Sequence, residues 1–180
     1  MKRFTLLCAL IALAGWATPT SAQSYDLPQI NFSRRSLDGP RLGATYVLGQ
    51  STLTKELRDR RIGSLISQFG WHFEYQVVPD GEGPSFVIEG IPLVGGVEYG
   101  TLIPSGTLAM GIRFPSGWEF GMGPNTVITD QGVKTALVLA VGKSINYGGV
   151  SIPLNLVLAT NPDGNRLSFM FGYAIFKPEK

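Results

Sequence analysis

The chain is poor in the residues that do chemistry. Its 180 residues hold one cysteine and one histidine, and only 16% are charged. The cysteine, Cys8, sits in an apolar N-terminal stretch that reads as a secretory signal peptide over residues 1–22. Lys2 and Arg3 give the positive start, Phe4 to Ala17 the short apolar run, and Thr20-Ser21-Ala22 the small residues before cleavage at Gln23. A mature chain beginning there has no thiol, which excludes disulfides, a thiolate nucleophile and a cysteine metal site. Lys2 and Arg3 leave with the leader, so thirteen of the fifteen basic residues remain to face thirteen acidic ones. The basic pI of about 8.8 therefore belongs largely to the leader. A near-neutral exported chain is not built as a nucleic-acid surface.

What the chain does have is alternation. Residues 23–40 show no clean period and read as an extended or poorly ordered arm. From Arg41 onward Leu42, Ala44, Tyr46 and Leu48 fall on one strand face and Arg41, Gly43, Thr45, Val47 and Gly49 on the other. Polar residues from Lys55 to Arg61, together with Leu57, Ile62, Leu65, Ile66 and Phe69, predict a short helix over about 54–69 with Thr54 as its cap. Ten of the mature chain's formal charges lie between Arg34 and Arg61, leaving the remainder poorer still. Alternating segments then run from Gly70, Ser85, Gly106, Gly117, Val133, Val150 and Arg166, separated by turn signals such as Pro79-Asp80-Gly81 and Asn161-Pro162-Asp163-Gly164. With the strand at Arg41 the count is eight, and 97–103 is either a ninth short strand or a loop. The expected fold is all-β: a closed antiparallel up-and-down barrel over 41–176, with one short helix between the first two strands and a tail at 177–180.

The faces of these strands differ in kind. One carries Trp71, Phe73, Tyr75 and Val77; Leu108, Met110, Ile112 and Phe114; Trp118, Phe120 and Met122; Leu137, Leu139 and Val141; Ile152, Leu154 and Leu156; Leu167, Phe169, Phe171 and Tyr173. The other is small or sparsely charged, as in Thr107, Ala109, Gly111 and Arg113. A soluble barrel turns large apolar residues inward, whereas a membrane barrel inverts the arrangement. A wet face would carry regular Lys and Glu, but here each strand has about one charge among Gly and Ala. Such a face suits a crowded interior in which Arg113, Lys134 and Arg166 pair with Glu74, Glu89 and Glu119, because buried charge must be paired. Segments of 9 to 13 residues match the roughly 9–11 needed for a tilted strand to cross a bilayer. Trp71, Phe73, Trp118, Phe120, Leu137, Leu154, Phe169, Phe171 and Tyr173 are then expected to face lipid, with Trp71, Trp118, Tyr75 and Tyr173 as interfacial girdles.

The leader, the eight alternating segments and the closing run Leu167-x-Phe169-x-Phe171-x-Tyr173-x-Ile175 together resemble the small outer-membrane β-barrel proteins of Gram-negative bacteria, over roughly 41–176. In that family the last strand usually ends the protein on an aromatic; here Phe176 is followed by Lys177-Pro178-Glu179-Lys180. Family members usually have long outer loops, and here only 50–69 and 95–105 have such length. The resemblance implies an outer-membrane location, lipid as partner and a side-chain-filled interior without a wide pore.

Candidate chemistry is sparse. His72 and Glu74 share a strand face at spacing i, i+2, which suits a general base and its orienting carboxylate. The lipid A deacylases carry a His-x-Ser on a strand; here the third position is Glu74, and a polar interior pair explains the spacing as well. One histidine without cysteine cannot form a zinc site unless distant strands supply carboxylates. Gly121-x-Gly123 has no following helix, so no phosphate loop is present. The Arg58 to Arg61 cluster fits lipid phosphates or an acidic partner, or simply a solvated helix face. No cofactor is expected. The rival readings are a soluble periplasmic or secreted barrel with the large faces turned inward around an apolar ligand, and a lipid-modifying enzyme using His72 and Glu74. Oligomeric state is not legible.

Overall fold

The computed structural model describes residues 37–77, 83–130, 132–147 and 150–175. The leader, the arm as far as residue 36 and the tail lie outside them. The strands are β1 (Gly39–Val47), β2 (Leu65–Val77), β3 (Ser85–Gly95), β4 (Ile103–Arg113), β5 (Trp118–Thr129), β6 (Gly132–Tyr147), β7 (Val150–Thr160), β8 (Arg166–Gly172) and β9 (Ala174–Ile175). A single helix, α1 (Thr52–Asp59), follows β1, and a 3-10 turn spans Val97–Tyr99. From β1 to β8 each strand pairs antiparallel with the next, and β8 pairs back onto β1, so the sheet is closed. β9 continues β8 in the same register against β7, Leu154 opposite Phe171 and Ser151 opposite Ala174. The barrel therefore has eight walls, as the alternation predicts.

The register fixes its shape. From Arg41 the pairing runs through Gly70, Leu93, Ser105 and Val127 to Lys134. Four residues further along β6, Val138 connects through Ala159 and Arg166 to Val47, six residues beyond Arg41. The stagger round the barrel is thus ten residues, six plus four. With about 3.3 Å per residue and 4.8 Å between strands, ten over eight strands tilts each by about 40°. An 11-residue strand then rises about 28 Å along the axis, close to the roughly 25 Å apolar band of outer-membrane barrels.

The helix is shorter than its apolar spacing predicts. Thr54 is not the cap: Ser51 is, its Oγ accepting from the Thr54 backbone N–H at 3.3 Å. Arg61 then takes a left-handed φ of 60°, which stops the helix. Leu65, Ile66 and Phe69 belong to β2, where Leu65 and Phe69 point outward and Ile66 inward. Over these residues the helical and strand periods coincide by chance, and Gly63 separates them. Two further boundaries move. Residues 97–103 form no ninth strand, because Gly96 and Gly100, both at positive φ, close a tight turn before β4 begins at Ile103. The last residues read as arm are fixed: Gly39 and Pro40 already pair with His72 and Trp71, and Leu37 is buried.

The two barrel ends differ. One carries the start of β1, the end of β8–β9 and the turns after β2, β4 and β6. The other carries α1, the 3-10 turn and the turns after β5 and β7. Helix α1 closes this second mouth: Leu57 packs with Val47, Ile62 and Ile66, flanked by Leu53 and Ile103. The Leu53 N–H donates to the Asp163 carbonyl at 2.9 Å, Lys134 Nζ reaches Glu56 at 2.5 Å, and Arg60 pairs with Asp130. The helix therefore caps this end of the barrel.

Candidate functional site: a polar interior and a helix-capped mouth

Strand alternation places every large face on the outside. Trp71, Phe73, Trp118, Phe120, Leu137, Phe169, Phe171 and Tyr173 are exposed, and Leu154 on the same surface is half-buried. These large faces do not line the interior, as the soluble ligand-holding barrel would have them do. Lys143 is the one charged residue on the outward face of the described strands, and its Nζ lies 5.2 Å from the Trp118 ring centre and donates to the Ser116 carbonyl at 2.6 Å. Tyr75, Trp118, Tyr147 and Tyr173 stand near strand ends on the rim that bears β1's start. Trp71 does not join this rim: it is the central residue of β2.

Inside, towards that rim, four strands bring one ionic cluster together. Arg113 from β4 places Nη1 and Nη2 each 2.5 Å from an oxygen of Glu74 on β2. Its Nε donates to Glu119 of β5 at 2.6 Å, and Nη2 lies 3.9 Å from Glu89 of β3. The Glu74 carboxylate is 0% exposed. Opposite, Arg41 donates Nη2 to the Leu37 carbonyl at 2.7 Å, and His72 Nδ1 lies 3.1 Å from the same oxygen. Since a carbonyl only accepts, Nδ1 carries a hydrogen, and His72 Nε2 lies 3.3 Å from Glu89 Oε1, a buried oxygen without a hydrogen-bond partner among the described residues. The Glu74 N–H donates to Asp38 at 2.6 Å. The segment Leu37–Asp38 thus seals the cluster from below.

The expected interior network is partly assembled. Arg113 meets Glu74, Glu89 and Glu119, but Lys134 and Arg166 do not reach them. Both lie near the opposite mouth, where Lys134 pairs with Glu56 and faces Asp163 at 3.6 Å. Arg166 Nη2 donates to Asn125 Oδ1 at 3.0 Å, and its buried Nε has no hydrogen-bond partner. The strand faces were legible, but height along a tilted barrel needs the register. Arg41 was the member missed, and His72, read from sequence as an interior polar residue beside Glu74, faces Glu89 instead. Arg41 could have been found from its place opposite the large face of β1.

The His72–Glu74 pairing expected from sequence is not the one formed. Both oxygens of Glu74 are taken by Arg113, and the carboxylate against His72 is Glu89. Ligand atoms of His72, Glu74 and Glu89 lie within 4.8 Å of one another, the cross-strand gathering a metal site would need. The Arg113 guanidinium already supplies the positive charge that such a cluster asks for.

Two of the interior's cavities bear on function. One of about 80 Å³ lies mid-barrel, lined by polar residues such as Thr45, Gln68 and Asn155 and by apolar ones such as Ile91, Leu93 and Met170, too small for a channel. The second, about 380 Å³, lies under α1 at the capped mouth. Arg166 borders both. Of the Arg58–Arg61 cluster, Arg60 is spent on Asp130, while Arg58 and Arg61 are exposed. Among the described residues no helix is long and apolar enough to cross a membrane, which says nothing of strands. No family model, curated protein or solved structure matches the chain.

Proposed function

We propose that this chain is a small outer-membrane β-barrel without an enzymatic centre, which contacts small molecules or surface partners through its helix-capped mouth. The observation that carries this reading is the outer wall. Around eight strands it is apolar or neutral except for Lys143, while every other strand charge points inward. Water gives no reason to expose so much contiguous apolar surface on a monomer, whereas lipid does. Closure removes the open edges that a bilayer could not satisfy. The resemblance to outer-membrane barrels implies that the longer loops, here those with α1 and the 3-10 turn, lie on the outer side. The filled interior supports a barrel that does not conduct.

Fractionation of cells expressing the untagged chain tests this. The expected result is recovery in the outer-membrane fraction, extraction only by detergent, and faster gel migration before boiling than after. Recovery in the soluble periplasm overturns it. The enzymatic alternative is tested by His72→Ala: a changed lipid A profile in the host would support a lipid-modifying role, and an unchanged one removes it.

A further inference from the structure

We infer that the cavity under α1 is a binding site for a small amphipathic carboxylate, a medium-chain fatty acid, held with its head on Arg166 and its chain against the helix-capped cluster. Leu53 and Leu57 from α1, Ile62, Ile66 and Ile103 give the cavity an apolar wall beneath the helix. Its volume of about 380 Å³ falls at the small end of the roughly 300–1,000 Å³ of ligand sites, which suits a medium chain rather than a long one.

The charge pattern selects the head group. Six charged residues line the cavity, and four of them are already matched: Lys134 with Glu56, and Arg60 with Asp130. Asp163 leans on Lys134. Arg166 alone among the lining cations has no carboxylate partner in the described residues. Its guanidinium is anchored on one side by Asn125, and its Nε remains a buried donor without an acceptor. A guanidinium that lines the cavity without a carboxylate partner gains charge-assisted hydrogen bonds from a carboxylate seated there. Arg166 separates the mouth from the mid-barrel cavity, so a head group resting there leaves the chain pointing back towards α1. A neutral apolar molecule would fill the wall and leave the Arg166 guanidinium without a counter-charge, so the geometry favours an acid over an alcohol of equal length.

The test uses the mature chain refolded into detergent-free lipid nanodiscs, titrated with decanoate and followed by methyl NMR. Saturable shifts are expected at Leu53, Leu57, Ile62, Ile66 and Ile103. Decanol should bind at least about tenfold more weakly, the scale of one lost charge-assisted hydrogen bond. Arg166→Gln should abolish the preference for the acid, and Leu57→Trp, which fills the cavity, should abolish binding of both. Shifts that do not saturate, that appear only on outward residues such as Leu139 and Leu156, or that give equal affinity for decanoate and decanol overturn the inference. The acid–alcohol comparison needs no variant, so a misfolded Arg166→Gln does not rescue the idea. The pocket does not depend on membrane location: if the chain proves water-soluble, the same titration without nanodiscs decides the pocket separately.

Discussion

Arg113 and Glu74, on strands separated in space by β3, meet in the barrel interior through two parallel hydrogen bonds of 2.5 Å. This fork holds β2 and β4 across the lumen, and the same guanidinium binds Glu119 on β5. Replacing Arg113 by Met leaves three carboxylates gathered without their shared cation. Breaking a buried pair from one side costs about 3–5 kcal/mol. Urea unfolding in lipid vesicles should show a loss of that size. Arg113→Lys should fall between, because an ammonium keeps the charge but not the fork. A loss below about 1 kcal/mol for Arg113→Met would mean that the cluster does not hold the wall.

Arg41 fits the lumen because Gly172 stands opposite it. A Cβ at 172 would come within 2.5 Å of Arg41 Nη1 and 2.6 Å of its Cδ. Gly172→Ala should therefore displace Arg41 from the Leu37 carbonyl and cost about 1–3 kcal/mol, the scale of overpacking. Faster amide exchange across Leu37–Arg41 would accompany it. Gly90→Ala, where an added Cβ meets nothing within 4 Å, should leave stability nearly unchanged and serves as the control.

These interior relations mark the boundary of what the sequence reveals. Alternation assigns a residue to a face, which was enough to place Glu74, Glu89, Arg113 and Glu119 inside together with Lys134 and Arg166. It does not assign height. In a barrel staggered by ten residues, Lys134 and Arg166 rise to the mouth while Glu74 and Arg113 sink to the opposite rim. Leu65, Ile66 and Phe69 show the complementary ambiguity: three apolar residues at spacings of one, three and four satisfy a helix, and only Gly63 and the run continuing through Trp71 favour a strand. Leu37 was illegible for a third reason. Its carbonyl, rather than its side chain, is what Arg41 and His72 use, and no composition signal reports a carbonyl.

Glu98 offers a pH readout outside the strands. Its slight burial acts to raise its pKa, but hydrogen bonds from the Ser67 hydroxyl and the Ser67 N–H outweigh this and hold it below its ordinary value of 4.5. A group depressed in the folded state stabilises above its unfolded pKa, and the contribution is lost as pH falls through the folded one. Tethering of the Val97–Tyr99 turn to β2 should be intact at neutral pH and weaken below about 4.5. Amide exchange at Ser67 should accelerate there, and in Glu98→Gln it should lose most of this pH dependence.

The outer wall gives the sharpest prediction, because lipid and water assign opposite costs to the same substitution. Leu139 lies outward near mid-height on β6, between Met122 and Leu158. In a bilayer, Leu139→Arg places a charge near the midplane and should cost about 2–4 kcal/mol. Tyr147, 83% exposed at the end of the same strand, lies at the rim, where Tyr147→Arg should cost about 0–1 kcal/mol. In water both substitutions would be surface changes within about 0.5 kcal/mol. Unfolding in vesicles of short-chain phosphatidylcholine distinguishes the cases: a large difference between the two variants supports a spanning wall, and two equal, small effects would remove lipid from the account of this barrel's exterior.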